Sequence, residues 1–482
     1  MKLSKMIPNT PDINIQTLFT DSRVEVSNGM FFCIKGMMND GHKFVDDAIA
    51  HGAICIVHSD PLKEYQEHII YLQVDNVLKT LNIVTDIFYN HPSEKMTVYG
   101  VTGTNGKSSI ALTLKNLISY FESCGYMGTI AVEYGDIKRS PSLTTPDIIE
   151  LHETLNEMVK ADMKSVAMEV SSHGLEQGRI DAVAFDVAIF TNLTHDHLDF
   201  HGTMENYYHA KEKLFQLLTT DGIAVINADD DYGRRLISET NAQVVTYGIE
   251  RPATYMASDI QLFPECTIFT LECYEFKYQI KTNLVAKFNI YNLLAVLAAM
   301  HRKGYALEEV IPLLENIKQI DGRMERIDEG QPFLVIVDYA HTPDGFEQIY
   351  EYAKSITPED KKIISVFGSA GKRDLKKRPI LGEISNRYSD MIVLTEEDPR
   401  GEDVVQICEE IGKGITTTNY IIIEDRYAAI RQAIEIANTD DTVLILAKGD
   451  ETYLSRAFGK EEWMGDDNAA RDILHRYYLG ED

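Results

Sequence analysis

Residues 97–109 read Thr-Val-Tyr-Gly-Val-Thr-Gly-Thr-Asn-Gly-Lys-Ser-Ser, in which an apolar run with β-branched residues leads into a glycine-rich turn. Apolar residues then recur at helical spacing over 110–121. A strand, a glycine loop, a Lys-Ser pair and a helix form a cradle for nucleotide phosphates, because backbone N–H groups point at the anion. Lys107 adds a positive charge, and the Ser108 hydroxyl can bind Mg²⁺. The stretch therefore predicts a nucleotide site rather than an ordinary glycine turn.

Length and composition are those of a multidomain globular protein. The chain has 482 residues, of which 44% are hydrophobic, and a length of about 150 residues per domain suggests three domains. No uninterrupted apolar run reaches the roughly 20 residues of a membrane helix, so we expect no membrane insertion. The first ten residues lack the apolar core of a signal peptide, and the six cysteines form no Cys-x-x-Cys pair. We therefore expect a cytoplasmic protein with reduced thiols.

The formal net charge is −29. Such an acidic chain argues against a nucleic-acid partner or an anionic membrane surface. It does not exclude anionic small ligands, because local clusters of basic residues bind those. We therefore expect small-molecule partners, and we expect the protein to be a monomer.

The order of apolar runs predicts an α/β protein of three domains. Residues 1–92 indicate a small mixed α/β domain, and 93–325 indicate a central P-loop-type domain with a parallel sheet. Residues 326–482 alternate strands and helices again, as in a Rossmann-like domain, but lack the Gly-x-Gly-x-x-Gly pattern of NAD binding. The predicted strands are 30–34, 53–57, 165–170, 187–190, 223–226, 333–338, 362–367, 391–394 and 442–447.

Two polar loops, 168–179 and 191–202, follow strands of the predicted central sheet. Ligands of open parallel sheets lie beyond the carboxyl ends of the strands, where the glycine loop also lies. Glu169, Asp196 and His197 are therefore candidate Mg²⁺ ligands, or partners of such ligands, near the phosphates.

A zinc site is an alternative interpretation of the second loop, which carries His195, His197 and His201. Their spacing of two and four residues, without a cysteine, matches no strong zinc pattern. Any one of these histidines taken alone is more often an ordinary loop residue.

Segments 103–108, 169–174 and 192–199 together resemble the Mur ligases, the ATP-dependent amide-forming enzymes of peptidoglycan precursor synthesis. Residues 20–23 and 40–42 resemble the uridine-nucleotide end of that family's first domain. The resemblance runs nearly end to end and is greatest to the UDP-N-acetylmuramyl-tripeptide synthetase subtype, MurE. That subtype adds a diamino acid to UDP-MurNAc-L-Ala-D-Glu.

The resemblance implies a role for each matching residue. The residues it implies for ATP binding are Gly103, Thr104, Asn105, Gly106, Lys107, Ser108, Ser109, Asn289, Asn292, Arg323 and Asp338. Those implied for the UDP-sugar-peptide substrate are Ser22, Thr144, Thr145, Ser171, Gln177 and Arg179. Those implied for catalysis are Lys107, Glu169, His197 and Lys211, and those implied for Mg²⁺ are Ser108, Glu169, His197 and carbamylated Lys211.

The predicted role of Lys211 depends more on the resemblance than that of any other residue. The residues alone indicate a surface lysine on an amphipathic helix, whereas the family pattern implies a carbamylated lysine, an anion that suits a hard cation. The implied reaction is attack of the substrate carboxylate on the γ-phosphate of ATP, followed by attack of an amine on the acyl phosphate. That route needs no side-chain nucleophile, and the sequence shows no credible Ser-His-Asp set.

The resemblance places the amino-acid site in the third domain. The residues it implies there are Arg373, Glu397, Asp398, Arg400 and Glu451. The chain has Glu-Asp-Pro-Arg at 397–400, where diaminopimelate enzymes have Asp-Asn-Pro-Arg and many lysine enzymes replace the arginine. Arg400 favours a distal carboxylate, and Asp398 favours an ammonium group. Lysine, diaminopimelate and ornithine therefore remain open as substrates.

Two other functions remain open. A folylpolyglutamate synthetase-like ligase would share the ATP chemistry, but it predicts no UDP-sugar domain at residues 1–92. A non-catalytic nucleotide-binding relative would keep the fold without turnover, although Lys107, Glu169, His197 and Lys211 are all present.

Overall fold

The computed structural model describes residues 1–36, 39–317 and 319–480. Its N-terminal part is a four-stranded sheet in the order β1-β2-β3-β4, with every pair parallel. The strands are β1 (Thr17–Phe19), β2 (Gly29–Phe32), β3 (Ala53–His58) and β4 (Ile70–Gln73). The helices are α1 (Leu3–Met6), α2 (Val45–Ala50) and α3 (Val77–Phe88), with 3-10 turns at Gly41–Phe44 and Pro92–Lys95.

The central part is an eleven-stranded sheet in the order β15-β14-β13-β12-β11-β10-β5-β9-β6-β7-β8. The strands are β5 (Thr97–Thr102), β6 (Cys124–Met127), β7 (Val132–Tyr134), β8 (Ile137–Arg139), β9 (Ser165–Glu169), β10 (Phe185–Phe190), β11 (Leu218–Asn227), β12 (Gln243–Gly248), β13 (Tyr255–Leu262), β14 (Thr267–Cys273) and β15 (Phe276–Thr282). The run from β6 to β13 is parallel, whereas β7, β8, β14 and β15 join it antiparallel at the two edges.

The helices of the central part cover both faces of its sheet. They are α4 (Lys107–Ile118), α5 (Ile148–Lys160), α6 (Ser172–Glu176), α7 (Leu198–His201), α8 (Met204–Gln216), α9 (Asp231–Glu239), α10 (Lys287–Arg302) and α11 (Leu307–Val310). On one face, α4 and α10 bury Leu114 and Leu297 in a single apolar core. On the other face, α5 and α8 bury Leu155 and Leu214. This burial holds the glycine loop between a fixed strand and a fixed helix.

The C-terminal part is a six-stranded sheet in the order β16-β17-β21-β18-β19-β20, with a separate hairpin of β22 and β23. The strands are β16 (Glu325–Ile327), β17 (Leu334–Asp338), β18 (Ile363–Phe367), β19 (Met391–Leu394), β20 (Asn419–Ile422), β21 (Thr442–Leu446), β22 (Tyr453–Arg456) and β23 (Gly459–Glu462). The helices are α12 (Pro343–Ile356), α13 (Lys377–Tyr388), α14 (Val404–Gly412), α15 (Arg426–Ile436) and α16 (Asp466–Ile473), followed by a π-helical end at Leu474–Leu479.

The predicted α/β class with parallel sheets is confirmed, and each strand predicted from the apolar runs is present. The expected boundary between residues 325 and 326 falls inside β16, which already pairs with β17. The antiparallel strands β14 and β15 were not predicted, although Thr267–Cys273 alternates buried and half-buried residues in the manner of a strand with one face covered. Within the described residues, no helix is long and apolar enough to cross a membrane.

Parallel pairing brings the carboxyl ends of β9, β5, β10 and β11 to one edge of the central sheet. The carboxyl ends of β17, β21, β18 and β19 lie together in the same way in the C-terminal sheet. Loops from both edges line one cavity. The fold therefore collects the polar loops that the sequence distributes over more than 200 residues.

Candidate active site

The cavity between the two sheet edges measures about 890 Å³. It brings together residues predicted for separate roles. The predicted residues that line it are Thr104, Asn105, Gly106, Lys107, Ser108, Ser109, Thr144, Thr145, Glu169, Ser171, Arg179, Asp196, His197, Lys211, Asn289, Asn292, Arg323, Asp338 and Arg373. A volume of this size is in the range of small-molecule sites.

The glycine loop connects β5 to α4 and requires glycine at two positions. Gly103 has φ +152°, and a Cβ there would lie 1.7 Å from the Thr191 hydroxyl oxygen. Gly106 has φ +88°, and a Cβ there would lie 2.7 Å from the Asn292 amide oxygen. Helix α4 begins at Lys107, whose Nζ donates to the carbonyl oxygens of Gly103 (3.1 Å) and Thr104 (2.9 Å). The loop therefore presents backbone N–H groups and one ammonium group to the cavity.

Glu169, at the end of β9, is buried and heavily hydrogen-bonded. Its carboxylate accepts from Ser108 Oγ at 2.9 Å, Tyr126 OH at 2.6 Å and the Thr129 N–H at 2.9 Å. Three donors on one carboxylate hold it in one orientation. Ser108 and Glu169 thus place two hard oxygen ligands side by side, next to the glycine loop.

These residues fit Mg²⁺. Among the described residues, no group of three or more His, Cys, Asp and Glu side chains forms a closed metal cage. Mg²⁺ does not need one, because it commonly uses one or two protein ligands together with substrate phosphates and water. His197 has a left-handed backbone (φ +53°), its N–H donates to Asp196, and burial lowers the pKa of its imidazole. A neutral imidazole is the form that binds metals.

The three histidines of the zinc alternative have different partners. His195 Nε2 lies 2.8 Å from an Asp374 oxygen in the C-terminal part, and His201 Nε2 lies 3.0 Å from Ser172 Oγ. His201 also stacks on Tyr207, with ring centroids 4.9 Å apart. Each of these two ring nitrogens is therefore already engaged, and His197 is the member of the three that lines the cavity.

Lys211 lies on α8 and is buried, which corrects the expectation of a surface lysine. Its Nζ donates to the Gly103 carbonyl at 2.7 Å and lies 4.7 Å from the centre of the Tyr207 ring. Burial and the charge of Lys107 hold the pKa of Lys211 well below its usual value. A buried, neutral amine can react with CO₂, so the environment is compatible with a carbamate.

The residues predicted for the muramoyl-peptide part form a connected group beside Glu169. Thr145 Oγ1 donates to the Glu169 carbonyl and accepts from the Ser171 N–H. Arg179 donates to the Thr145 carbonyl at 2.8 Å and to the Gln177 amide oxygen at 2.5 Å. Gln177 thus supports Arg179 without lining the cavity itself.

Ser22 lies apart from this group. It is buried in the turn that follows β1 and is not among the residues that line the cavity. Thr144, by contrast, lines the cavity and lies 3.0 Å from the Thr129 hydroxyl, next to Glu169.

The predicted ATP-side residues come from both parts of the protein. The Asn292 amide donates to Asn289 at 3.0 Å on α10. Asp338, at the end of β17, accepts from the Met324 N–H at 2.7 Å and the Ala340 N–H at 2.6 Å. Arg323 lies over the Tyr339 ring at 4.3 Å. Asp338 therefore ties the segment at Met324 to the turn at Ala340, and all three residues line the cavity.

The predicted amino-acid residues divide into two groups. Arg373 lines the cavity, whereas Glu397, Asp398, Arg400 and Glu451 lie beside it. Glu451 is joined to the cavity through Tyr339, whose hydroxyl donates to it at 3.1 Å. Glu397 is buried, which raises its pKa, and its Oε2 has no hydrogen-bond partner in the described part of the chain.

Lys448 is a member of this region to which the sequence assigned no role. Its Nζ donates to Asp398 at 3.0 Å and to Glu451 at 2.5 Å. Asp398 also accepts from Arg400 Nη2 at 3.1 Å, and these contacts help to lower the pKa of Asp398 to about 2. Lys448 follows directly after the buried strand β21 and Ala447, which was the available signal that it faces a site.

Two models of known families match the chain. The Mur ligase middle domain matches residues 101–300, and the Mur ligase, glutamate ligase domain matches residues 322–449. Together these segments cover more than half of the protein. They include the glycine loop and the predicted site residues from Gly103 to Arg400, whereas Ser22 and Glu451 lie outside them.

Curated relatives match almost the whole chain. The UDP-N-acetylmuramoyl-L-alanyl-D-glutamate–2,6-diaminopimelate ligase of Halalkalibacterium halodurans is 38% identical over 454 residues, 93% of this chain and 92% of the relative. The corresponding L-lysine ligase of Staphylococcus haemolyticus is also 38% identical, over 93% of this chain and 91% of the relative. A solved structure of a 2,6-diaminopimelate ligase aligns with a TM-score of 0.71 and 28% identity, covering 99% of both chains.

Proposed function

The chain belongs to the Mur ligase family, and we propose that it joins a diamino acid to UDP-N-acetylmuramoyl-L-alanyl-D-glutamate at the expense of ATP. The observation that carries this proposal is the shared cavity. There the glycine loop, Glu169 and Lys211 of the central part line the same cavity as Arg373 of the C-terminal part. An acid-activating site and an amine-binding site must meet in this way for an acyl phosphate to be passed directly to an amine.

In the first step, a carboxylate of the acceptor's D-glutamyl residue attacks the γ-phosphate of ATP, forming an acyl phosphate and ADP. Lys107 and the loop N–H groups stabilise the negative charge on the transferring phosphoryl group. Ser108, Glu169, His197 and carbamylated Lys211 would hold Mg²⁺. When bound, that ion neutralises phosphate charge as a Lewis acid. Thr144, Thr145, Ser171 and Arg179 would orient the peptide carboxylate.

In the second step, the amine of the incoming amino acid attacks the acyl carbon and inorganic phosphate leaves. Arg373 would bind the carboxylate of that amino acid and hold its amine toward the acyl phosphate.

Among the three amino acids left open by the sequence, we favour meso-diaminopimelate. Its distal end carries both an ammonium and a carboxylate group, whereas lysine and ornithine carry only the ammonium. Glu397 offers an unpartnered acceptor oxygen for the ammonium. Arg400 donates to Asp398 through Nη2, which leaves its Nη1 group for the second carboxylate.

The test is phosphate release with UDP-MurNAc-L-Ala-D-Glu, ATP and Mg²⁺, comparing meso-diaminopimelate, L-lysine and L-ornithine. We expect the highest kcat/KM with meso-diaminopimelate. Equal rates with all three would reject the substrate assignment, and no phosphate release with any of them would reject the ligase reaction on this acceptor. A folate acceptor with glutamate serves as the test of the folylpolyglutamate alternative, and the parallel sheet formed by β1–β4 argues against that alternative.

We propose a cytoplasmic monomer. All six cysteines are free, and five of them are buried, as is usual in a reducing compartment. Gel filtration with light scattering tests the monomer, with a mass of 54.5 kDa expected for the single chain.

A further inference from the structure

We propose that His195 and Asp374 form a positioning pair that sets Arg373 for amine attack and ties this placement to the metal-binding loop. The inference rests on the proposed function, since it concerns the second step of that reaction. His195 and Asp374 are positioning residues, because neither touches the reacting atoms in the proposed chemistry.

The contact crosses from the central part to the C-terminal part. His195 Nε2 lies 2.8 Å from Asp374 Oδ2, between residues 179 positions apart in the chain. On the central side, His195 directly precedes Asp196, whose carboxylate accepts the His197 N–H at 2.9 Å. On the other side, Asp374 directly follows Arg373 and accepts the Lys376 N–H through Oδ1 at 2.9 Å. One hydrogen bond therefore connects the loop with the candidate metal ligand to the loop with the candidate amino-acid ligand.

The position of the Arg373 side chain depends on the backbone of its loop. Arg373 is exposed in the cavity, and its side chain has no hydrogen-bond or ion-pair partner in the described part of the chain. Its location is consequently set by the backbone of its loop. Asp374 fixes that backbone twice, through its own turn and through His195.

The His195–Asp374 pair contributes little to folding stability, so its loss should affect the reaction without unfolding the protein. The His195 side chain is 39% exposed and that of Asp374 is 12% exposed. Ion pairs and hydrogen bonds with an exposed partner typically contribute little to folding stability. Small displacements of a substrate-positioning group, by contrast, can reduce rates by large factors. The effect should therefore appear in the amino-acid step rather than in the melting behaviour.

The test separates the two half-reactions. Acyl-phosphate formation is measured without amino acid, with hydroxylamine as the trapping amine, so that the acyl group ends as a hydroxamate and phosphate is released. The second step is measured as the KM for meso-diaminopimelate at saturating ATP and acceptor. The variants are His195→Ala, Asp374→Ala, the double variant and His195→Gln, whose amide can still donate to Asp374. His209→Ala, an exposed histidine on α8 paired with Glu205 and Glu212, is the control.

We expect each alanine variant to raise the KM for the amino acid about tenfold, with hydroxamate formation within twofold of the unaltered protein. The double variant should resemble either single variant, because the two residues act through one contact. His195→Gln should recover most of the loss. An unchanged KM, or equal loss of hydroxamate formation, would overturn the inference. Absence of hydroxamate in the unaltered protein would instead overturn the proposed function, and the inference with it.

Discussion

Lys107 and Lys211 share one acceptor, because both ammonium groups donate to the carbonyl oxygen of Gly103, at 3.1 Å and 2.7 Å. One lysine lies at the start of α4 and the other on α8. Burial lowers the pKa of both amines, and the proximity of Lys107 lowers that of Lys211 further. Two cations side by side are unfavourable, so this arrangement favours loss of charge at Lys211.

Conversion of Lys211 to a carbamate would replace the like-charge contact by an ion pair with Lys107. We therefore expect Lys211→Ala to lose most of its ligase activity, by about 100-fold or more, as metal-site ligands commonly do. Short carboxylic acids such as acetate should restore part of the rate by occupying the vacated space. Lys213→Ala, an exposed lysine on the same helix, is the control. Full activity of Lys211→Ala without additive would contradict the carbamate role.

Lys107 has a different role, as a positive charge beside the phosphates. Lys107→Ala should abolish phosphate release, because preorganised charge on a transferring phosphoryl group contributes about 3–4 kcal/mol to catalysis. The melting temperature should change little, since the lysine donates only to loop carbonyls. Near-normal phosphate release by this variant would show that the ATP phosphates do not bind at Lys107. Lys115→Ala, about two turns further along α4, provides the matched control.

Arg400 should decide between amino acids. A hydrogen bond between two charged groups contributes about 1.5–3 kcal/mol, so Arg400→Ala should raise the KM for meso-diaminopimelate by about tenfold or more. The KM for L-lysine should change much less, because lysine lacks the distal carboxylate. Arg387→Ala, at an arginine on α13 whose partner is Glu347, controls for loss of a positive charge. An equal rise in KM for both amino acids would show that Arg400 does not bind the distal carboxylate.

A second contact between the two parts joins the glycine loop to α12. Asn105 Nδ2 donates to Asp344 Oδ2 at 2.8 Å, between residues 239 positions apart. We expect Asp344→Ala to raise the KM for ATP several-fold and to increase the radius of gyration in small-angle scattering with ATP and acceptor bound. Glu347→Ala, on the same helix, should leave both values unchanged. Scattering that does not respond to ligands in either protein would contradict closure between the sheets.

Arg426 provides the clearest stability prediction. It is fully buried, and it donates to both Asp466 oxygens, at 2.7 Å and 2.6 Å. Arg426→Ala would leave the Asp466 charge buried without its partner, which costs about 3–5 kcal/mol. The urea midpoint of the C-terminal part should fall accordingly. The control is Arg431→Ala, which breaks an exposed pair with Glu435 and should cost at most about 1 kcal/mol. Equal urea midpoints for Arg426→Ala and Arg431→Ala would contradict a stabilising role of the buried Arg426–Asp466 pair.

The central strand–loop–helix unit could be predicted from the chain alone. Its glycines, lysine and serine lie within a few residues, and the alternation of strands and helices implies a parallel sheet with its loops at one edge. The predicted positions of Glu169 and His197 follow from the same rule. The burial of Lys211 did not follow, because the residues of α8 alone indicate a surface lysine.

The sequence thus determined the α/β architecture and the phosphate-binding chemistry. Strand propensity, turn residues and helix-start signals each involve residues that are close together in the chain. Only the tertiary structure revealed that Lys211 reaches Gly103, that Lys448 holds Asp398 beside Arg400, and that His195 meets Asp374. Those contacts join residues 50 to 179 positions apart. The first contact depends on how α8 packs within the central part, the second on the loops that follow β19 and β21, and the third on how the central and C-terminal parts pack together. No periodicity or spacing along the chain encodes that geometry.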